Sequence, residues 1–119
     1  YHDIIVLGSQ EAMRSIQTSL ILPGKEKLNK ALTEYLNKAP LDKQTDPDEE
    51  FVMINSVSLC AVSLSIFIRK KHVYYLSDIK NDAIATGIAD MVANKGGVCI
   101  SFKIGGKRML FINCHQEAH

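Results

Sequence analysis

"VCISFKIGGKRMLFINCH", residues 98 to 115, decides how the rest of the chain is read. Val98, Ile100, Phe102 and Ile104 alternate with Cys99, Ser101 and Lys103, the period of a strand with one buried face. Gly105-Gly106 then offers the two-residue turn of a tight hairpin, and "RMLFINC" returns as its second strand. With the glycines as the turn, Cys99 falls opposite Ile112 and Cys114 opposite Gly97, so the two thiols do not face one another directly. The return strand carries Asn113, Cys114 and His115 to the point where polar residues take over.

Working outward, "DIIVLG" (3 to 8) is a continuous apolar run closed by glycine, which predicts a strand buried on both faces with a polar exit at Ser9, Gln10 and Glu11. Leu28, Leu32, Tyr35, Leu36 and Ala39 recur at helical spacing with Lys and Glu between them, an amphipathic helix suited to covering a sheet. Pro23-Gly24 marks a break before it, and the Asp-, Lys- and Pro-rich run from Pro40 to Glu50 predicts a loop. Val57 and Leu59 lie on the opposite parity to Val62, Leu64, Ile66 and Ile68, so a turn is expected near Cys60-Ala61 between two adjoining strands. "HVYYLSDI" (72 to 79) is aromatic and β-branched enough to read as a further strand.

The 119 residues, 46% hydrophobic and 23% charged, suit one globular domain. A formal charge of +1 excludes nucleic-acid or membrane binding driven by net charge, leaving only local patches for an anionic partner. "RKKH" (69 to 72) and "KRM" (107 to 109) are such patches, read first as solvated strand ends or a hairpin tip and, read functionally, as attracting anionic lipid head groups. The longest apolar stretch, Val57 to Ile68, is too short to span a bilayer, so an intracellular, cytoplasmic setting with peripheral membrane contact is expected. Three cysteines without C-x-x-C spacing predict reduced core thiols rather than a disulfide framework or a zinc site.

Two strand ends carry candidate chemistry. Glu11 is a carboxylate of the kind that binds Mg²⁺, and His115 is suited to stabilising phosphoryl charge or moving a proton. "HQEAH" has Gln where a zincin helix needs Glu and follows a strand, which argues against a His115–His119 metal pair. "ANKGGV" (93 to 98) presents Lys95 from a tight loop able to receive a phosphate, without the spacing of a Walker A motif. Taken singly, each has an ordinary reading as well: a solvated carboxylate, a strand-terminal histidine, a turn.

Their joint order resembles the inositol polyphosphate 5-phosphatases. "TGIADMVANKGGVCISFKIGGKRMLFINCHQEAH" (86 to 119) is similar to the family's Thr-Gly-Ile segment, Asn-Lys-Gly-Gly loop, hairpin and Asn-x-His. "YHDIIVLGSQEA" (1 to 12) resembles its Gln-Glu strand, and "SLSIFIRK" (63 to 70) its middle strand. The resemblance implies an α/β fold, the four-layer sandwich of DNase I-like type with two mixed sheets face to face and helices outside. It implies Mg²⁺-dependent hydrolysis of the 5-phosphate from phosphoinositides or soluble inositol polyphosphates. Glu11 then matches the metal ligand, Gln10 lies beside it near the phosphate, Asn94 and Lys95 match the head-group loop, and His115 contacts the scissile phosphate.

The family's water-activating aspartate and its Asp-His pair belong to segments after the position of His119. Residues 1–119 are therefore expected to be part of one catalytic domain truncated at both ends, inactive and poorly stable in isolation. A catalytically silent phosphoinositide-binding scaffold, or a nuclease of the same fold, is the alternative. The "NKGG" loop and the lack of a basic stripe with interleaved aromatics argue against nucleic acid as a partner.

Overall fold

The computed structural model describes residues 2–10, 23–38, 46–59, 62–86 and 95–116. Strands β1 (Ile4–Gln10), β2 (Phe51–Leu59) and β3 (Val62–Arg69) form one sheet in the order β1-β3-β2. Strands β4 (Leu76–Ala85), β5 (Gly96–Ile104) and β6 (Lys107–His115) form a second in the order β4-β5-β6. Every pairing among these strands is antiparallel.

The period-two patterns decide how the sheets meet. Val62, Leu64 and Ile66 of β3 turn inward against Val98, Ile100 and Phe102 of β5, and all six are buried. Ile4 and Val6 of β1, Val57 and Leu59 of β2, and Met109 and Phe111 of β6 complete this layer between the sheets. On the opposite face of β3 stand the serines that interrupt the apolar run. Ser63 pairs with Ser9 at 2.5 Å and Ser65 with Ser56 at 2.9 Å, hydroxyl to hydroxyl, so their polar groups satisfy one another.

Helix α1 (Pro23–Leu36) begins at the proline, the residue best suited to a first helical position, and lies against β2. Just beyond its end, Asn37 donates to the Phe51 carbonyl (2.9 Å) and accepts from the Phe51 amide (2.7 Å), tying the helix to the start of β2. The Arg69 guanidinium sits 4.3 Å from the Phe51 ring centroid and donates to the carbonyls of His2 and Glu49.

The hairpin has the expected register: Cys99 is opposite Ile112 and Cys114 opposite Gly97. Gly105 and Gly106 both take positive φ, 53° and 78°, as a tight turn matching the strand twist requires. β2 and β3 also pair on the expected parities, Val57 with Leu64 and Leu59 with Val62.

Three readings are corrected. β1 is only half-buried, because among the described residues it pairs with β3 alone and lies at a sheet edge. Residues 70–75 form a 3-10 helix, so the strand begins only at Leu76 and runs on to Ala85. Here the chain has to leave β3 in one sheet and enter β4 in the other, and a short turn of helix makes that corner. Cys99 is half-buried and Cys114 exposed, both free, since no described residue covers the outer face of the β4-β5-β6 sheet; Cys60 lies outside the described residues.

Candidate active site

Antiparallel pairing sends the last residues of β1 and β6 and the first residues of β3 and β5 to one end of the sandwich. Gln10, Lys95 and His115 are therefore gathered there from segments far apart in sequence. Glu11 and Asn94, also expected at the site, lie outside the described residues.

Lys95 is presented by a glycine that has no substitute. Gly96 has φ +150°, and a Cβ added to it would meet the Ile84 carbonyl at 2.2 Å and the Leu59 side chain at 2.7 Å. A Cβ essentially never lies this close to a non-bonded atom, so only glycine lets β5 begin this close to β4. Gly96 also pairs with His115, and the Thr86 amide donates to the Lys95 carbonyl at 3.1 Å, closing the connection between β4 and β5. The result is a contact of 2.9 Å between Lys95 Nζ and His115 Nε2. An ammonium has donors only, so while Lys95 is charged Nε2 accepts and the ring proton sits on Nδ1.

Gln10 faces the layer between the sheets. Its Nε2 donates to Asn113 Oδ1 at 3.3 Å and to the carbonyl of Cys114, the residue preceding His115. Both amide protons are thereby used within the protein.

Asn113 was not singled out as a site residue from sequence. It lies two residues before His115, on the inward parity of Met109 and Phe111, and its Nδ2 donates to the carbonyls of Ser9 (3.0 Å) and Ser63 (2.8 Å). The signal available in the sequence was a carboxamide standing where the strand pattern calls for an apolar side chain.

A hard divalent cation needs oxygen ligands, carboxylates above all. Among the described residues no group of three or more His, Cys, Asp or Glu side chains could hold a metal. Gln10, Lys95, Asn113 and His115 offer amide, ammonium and imidazole groups, which do not by themselves make such a site.

Residues 1–119 match the family described as Endonuclease/Exonuclease/phosphatase family 2. The mouse (Mus musculus) type II inositol 1,4,5-trisphosphate 5-phosphatase is 28% identical over 119 residues, covering 98% of this chain and 11% of the relative. Human (Homo sapiens) phosphatidylinositol 4,5-bisphosphate 5-phosphatase A is 36% identical over 69 residues, 58% of this chain and 7% of the relative. The chain thus spans about a tenth or less of the length of these curated relatives.

Among solved structures, the inositol polyphosphate 5-phosphatase domain of SPsynaptojanin, crystallised with inositol (1,4)-bisphosphate and calcium ion, superposes with a TM-score of 0.78 at 25% identity. That match covers 98% of this chain and 32% of the other, so the chain has the DNase I-like α/β fold and spans about a third of that neighbour. A Cimex nitrophorin shares the fold at 13% identity, with a TM-score of 0.63.

Proposed function

This chain belongs to the Endonuclease/Exonuclease/phosphatase family 2, and from that membership we propose that its parent protein hydrolyses the 5-phosphate of phosphoinositides or soluble inositol polyphosphates. The observation that carries the reading is the 2.9 Å pair of Lys95 Nζ and His115 Nε2, built at the strand end where Gln10 precedes Glu11. An ammonium and an imidazole converging on one point suit a phosphate dianion, and the relatives' names supply the inositol.

Phosphoryl transfer asks a protein mainly to position groups and neutralise charge. In the resting site Lys95 donates to a neutral nitrogen. An arriving phosphate oxygen is the stronger acceptor, so the ammonium turns to it and releases Nε2. With Nε2 released, His115 takes a proton from solvent water and donates it in a hydrogen bond to a phosphoryl oxygen as negative charge grows there. Asn94 is proposed to join Lys95 on the head group and Gln10 to line the phosphate side. A Mg²⁺ ion held by Glu11 would neutralise phosphate charge when bound; the described residues do not by themselves complete its site.

Among the described residues no helix is long and apolar enough to cross a membrane. The basic clusters offered for anionic lipid lie at the other end of the sandwich, past Arg69 and at the hairpin tip. Nine-residue β5 separates that end from Lys95 by about 27 Å at strand rise. They therefore do not support a membrane face at the site, and a head group, free or lipid-borne, is what the geometry favours. A cytoplasmic setting is part of the proposal.

The test measures phosphate release from inositol 1,4,5-trisphosphate and from vesicles of phosphatidylinositol 4,5-bisphosphate, with Mg²⁺, by the parent protein extended in both directions. Release that falls about 100-fold or more in His115→Ala, the usual range for a positioned proton-transfer group, and collapses in Glu11→Gln supports the reading. A folded parent that binds the vesicles and releases nothing is instead a silent phosphoinositide-binding module.

A further inference from the structure

Among the described residues, three hydrogen bonds from one side chain join the two sheets at the site. Asn113 stands on β6, yet its Nδ2 donates to Ser9 on β1 and to Ser63 on β3, and its Oδ1 accepts from Gln10. Gln10 in turn donates to the Cys114 carbonyl, closing a ring of contacts around the peptide that carries His115. The chain makes room for this on the facing strand: a Cβ on Gly8 would meet Asn113 Nδ2 at 3.1 Å and Cγ at 3.3 Å. That is tighter than ordinary contact, so glycine there lets the carboxamide reach both backbone carbonyls.

An inward carboxamide is costly between apolar layers unless all its groups are satisfied, and here each is. Stability alone would be served by an apolar side chain continuing Met109 and Phe111. What the carboxamide adds is direction. Two carbonyls on different strands fix its plane, and that plane fixes where β6 ends relative to β1. We infer that Asn113 is a positioning residue which, with Gln10 and Gly8, sets the place of His115 relative to the Gln10–Glu11 strand end. It touches no substrate, and its catalytic consequence rests on the phosphatase reading above.

The experiment uses the parent protein with inositol 1,4,5-trisphosphate and Mg²⁺, comparing Asn113→Ala, His115→Ala and the double variant, alongside ¹⁵N-histidine NMR. Displacing a reacting group by about 1 Å costs on the order of 100-fold, so Asn113→Ala should lower kcat by about that factor. KM should stay within about twofold, because ground-state binding is not what is lost. In the His115→Ala background the same substitution should cost less than about threefold, since residues acting through one another are not additive.

An equal loss in both backgrounds overturns the proposal, as does a rise in KM with kcat unchanged. Should Asn113→Ala fail to fold, Gly8→Ala decides by the same criteria, since it keeps the carboxamide and pushes it aside. If the wild-type parent releases no phosphate, only the phosphatase reading falls. The His115 Nε2 resonance then decides: a shift on replacing Asn113 upholds the positioning role, and an unmoved resonance refutes it.

Discussion

Asp3 and His72 meet at the end of the sandwich remote from Lys95, Nε2 to Oδ1 at 3.0 Å. The hydrogen bond from His72, helped by the charges of Lys71 and Arg69, holds the Asp3 carboxyl below its ordinary 3.8. A carboxyl depressed on folding stabilises above its unfolded value, and that contribution disappears as pH falls through the lower, folded one. An NMR titration of the parent should place the Asp3 midpoint below 3.8, and His72→Ala should return it towards that value. Single residues differ in how far sequence reveals them. Lys95 and His115 could be chosen because strand ends and glycine-flanked loops mark their positions. The partners of Asn113 could not, because Ser9 and Ser63 reach it only through the packing of two sheets. The Asp3–His72 pair, 69 positions apart, is hidden for the same reason.

Among the elements, the β5–β6 hairpin was fully legible: a two-residue glycine turn fixes register by counting, and alternation fixes the faces. Its glycines make a quantitative prediction. Gly105 has φ 53° and open space around its missing Cβ, so only backbone strain opposes a side chain. Gly105→Val should cost about 1–2 kcal/mol in urea unfolding of the parent, whereas Asn, which visits this conformation readily, should cost clearly less. Gly96→Ala should be far worse, because the Cβ meets backbone rather than solvent. It should abolish the Lys95–His115 contact, seen as a changed His115 ring signal. The 70–75 segment misled because aromatic and β-branched residues at a corner look like those of a strand. β4 was harder still: Asp78, at φ 52° in an irregular stretch between Ser77 and Lys80, breaks the alternation. Arg108 and Lys80 both pair with Asp78 there and hold its carboxyl below 3.8, the Arg108 pair reaching from β6 across β5 to β4, a tie that no local pattern announces.

For the whole molecule, the inward faces of the two sheets are closed on one another, while among the described residues nothing covers the outward face of the β4-β5-β6 sheet. Ile84, Leu110 and Ile112 are 67%, 57% and 61% exposed on it, close to the free thiols of Cys99 and Cys114. An apolar sheet face of this kind is stable only when covered. The 119-residue chain expressed alone should bind a hydrophobic dye such as ANS and melt without cooperativity, while the extended parent does neither. A sharp, high-temperature melt of the chain alone would refute this. The overall architecture was legible only through resemblance, since periodicity gives strands and faces but does not say which strands share a sheet.

The Gln10–Cys114 bond joins residues 104 positions apart. A ribosome adding about 5–20 residues per second finishes β6, in the facing sheet, roughly 5–20 s after β1 has been made. During synthesis β1 gains its pairing partner β3 well before then, yet the inward side chains of both strands stay in water until β5 and β6 emerge, and chaperone demand should fall on the nascent chain over that interval.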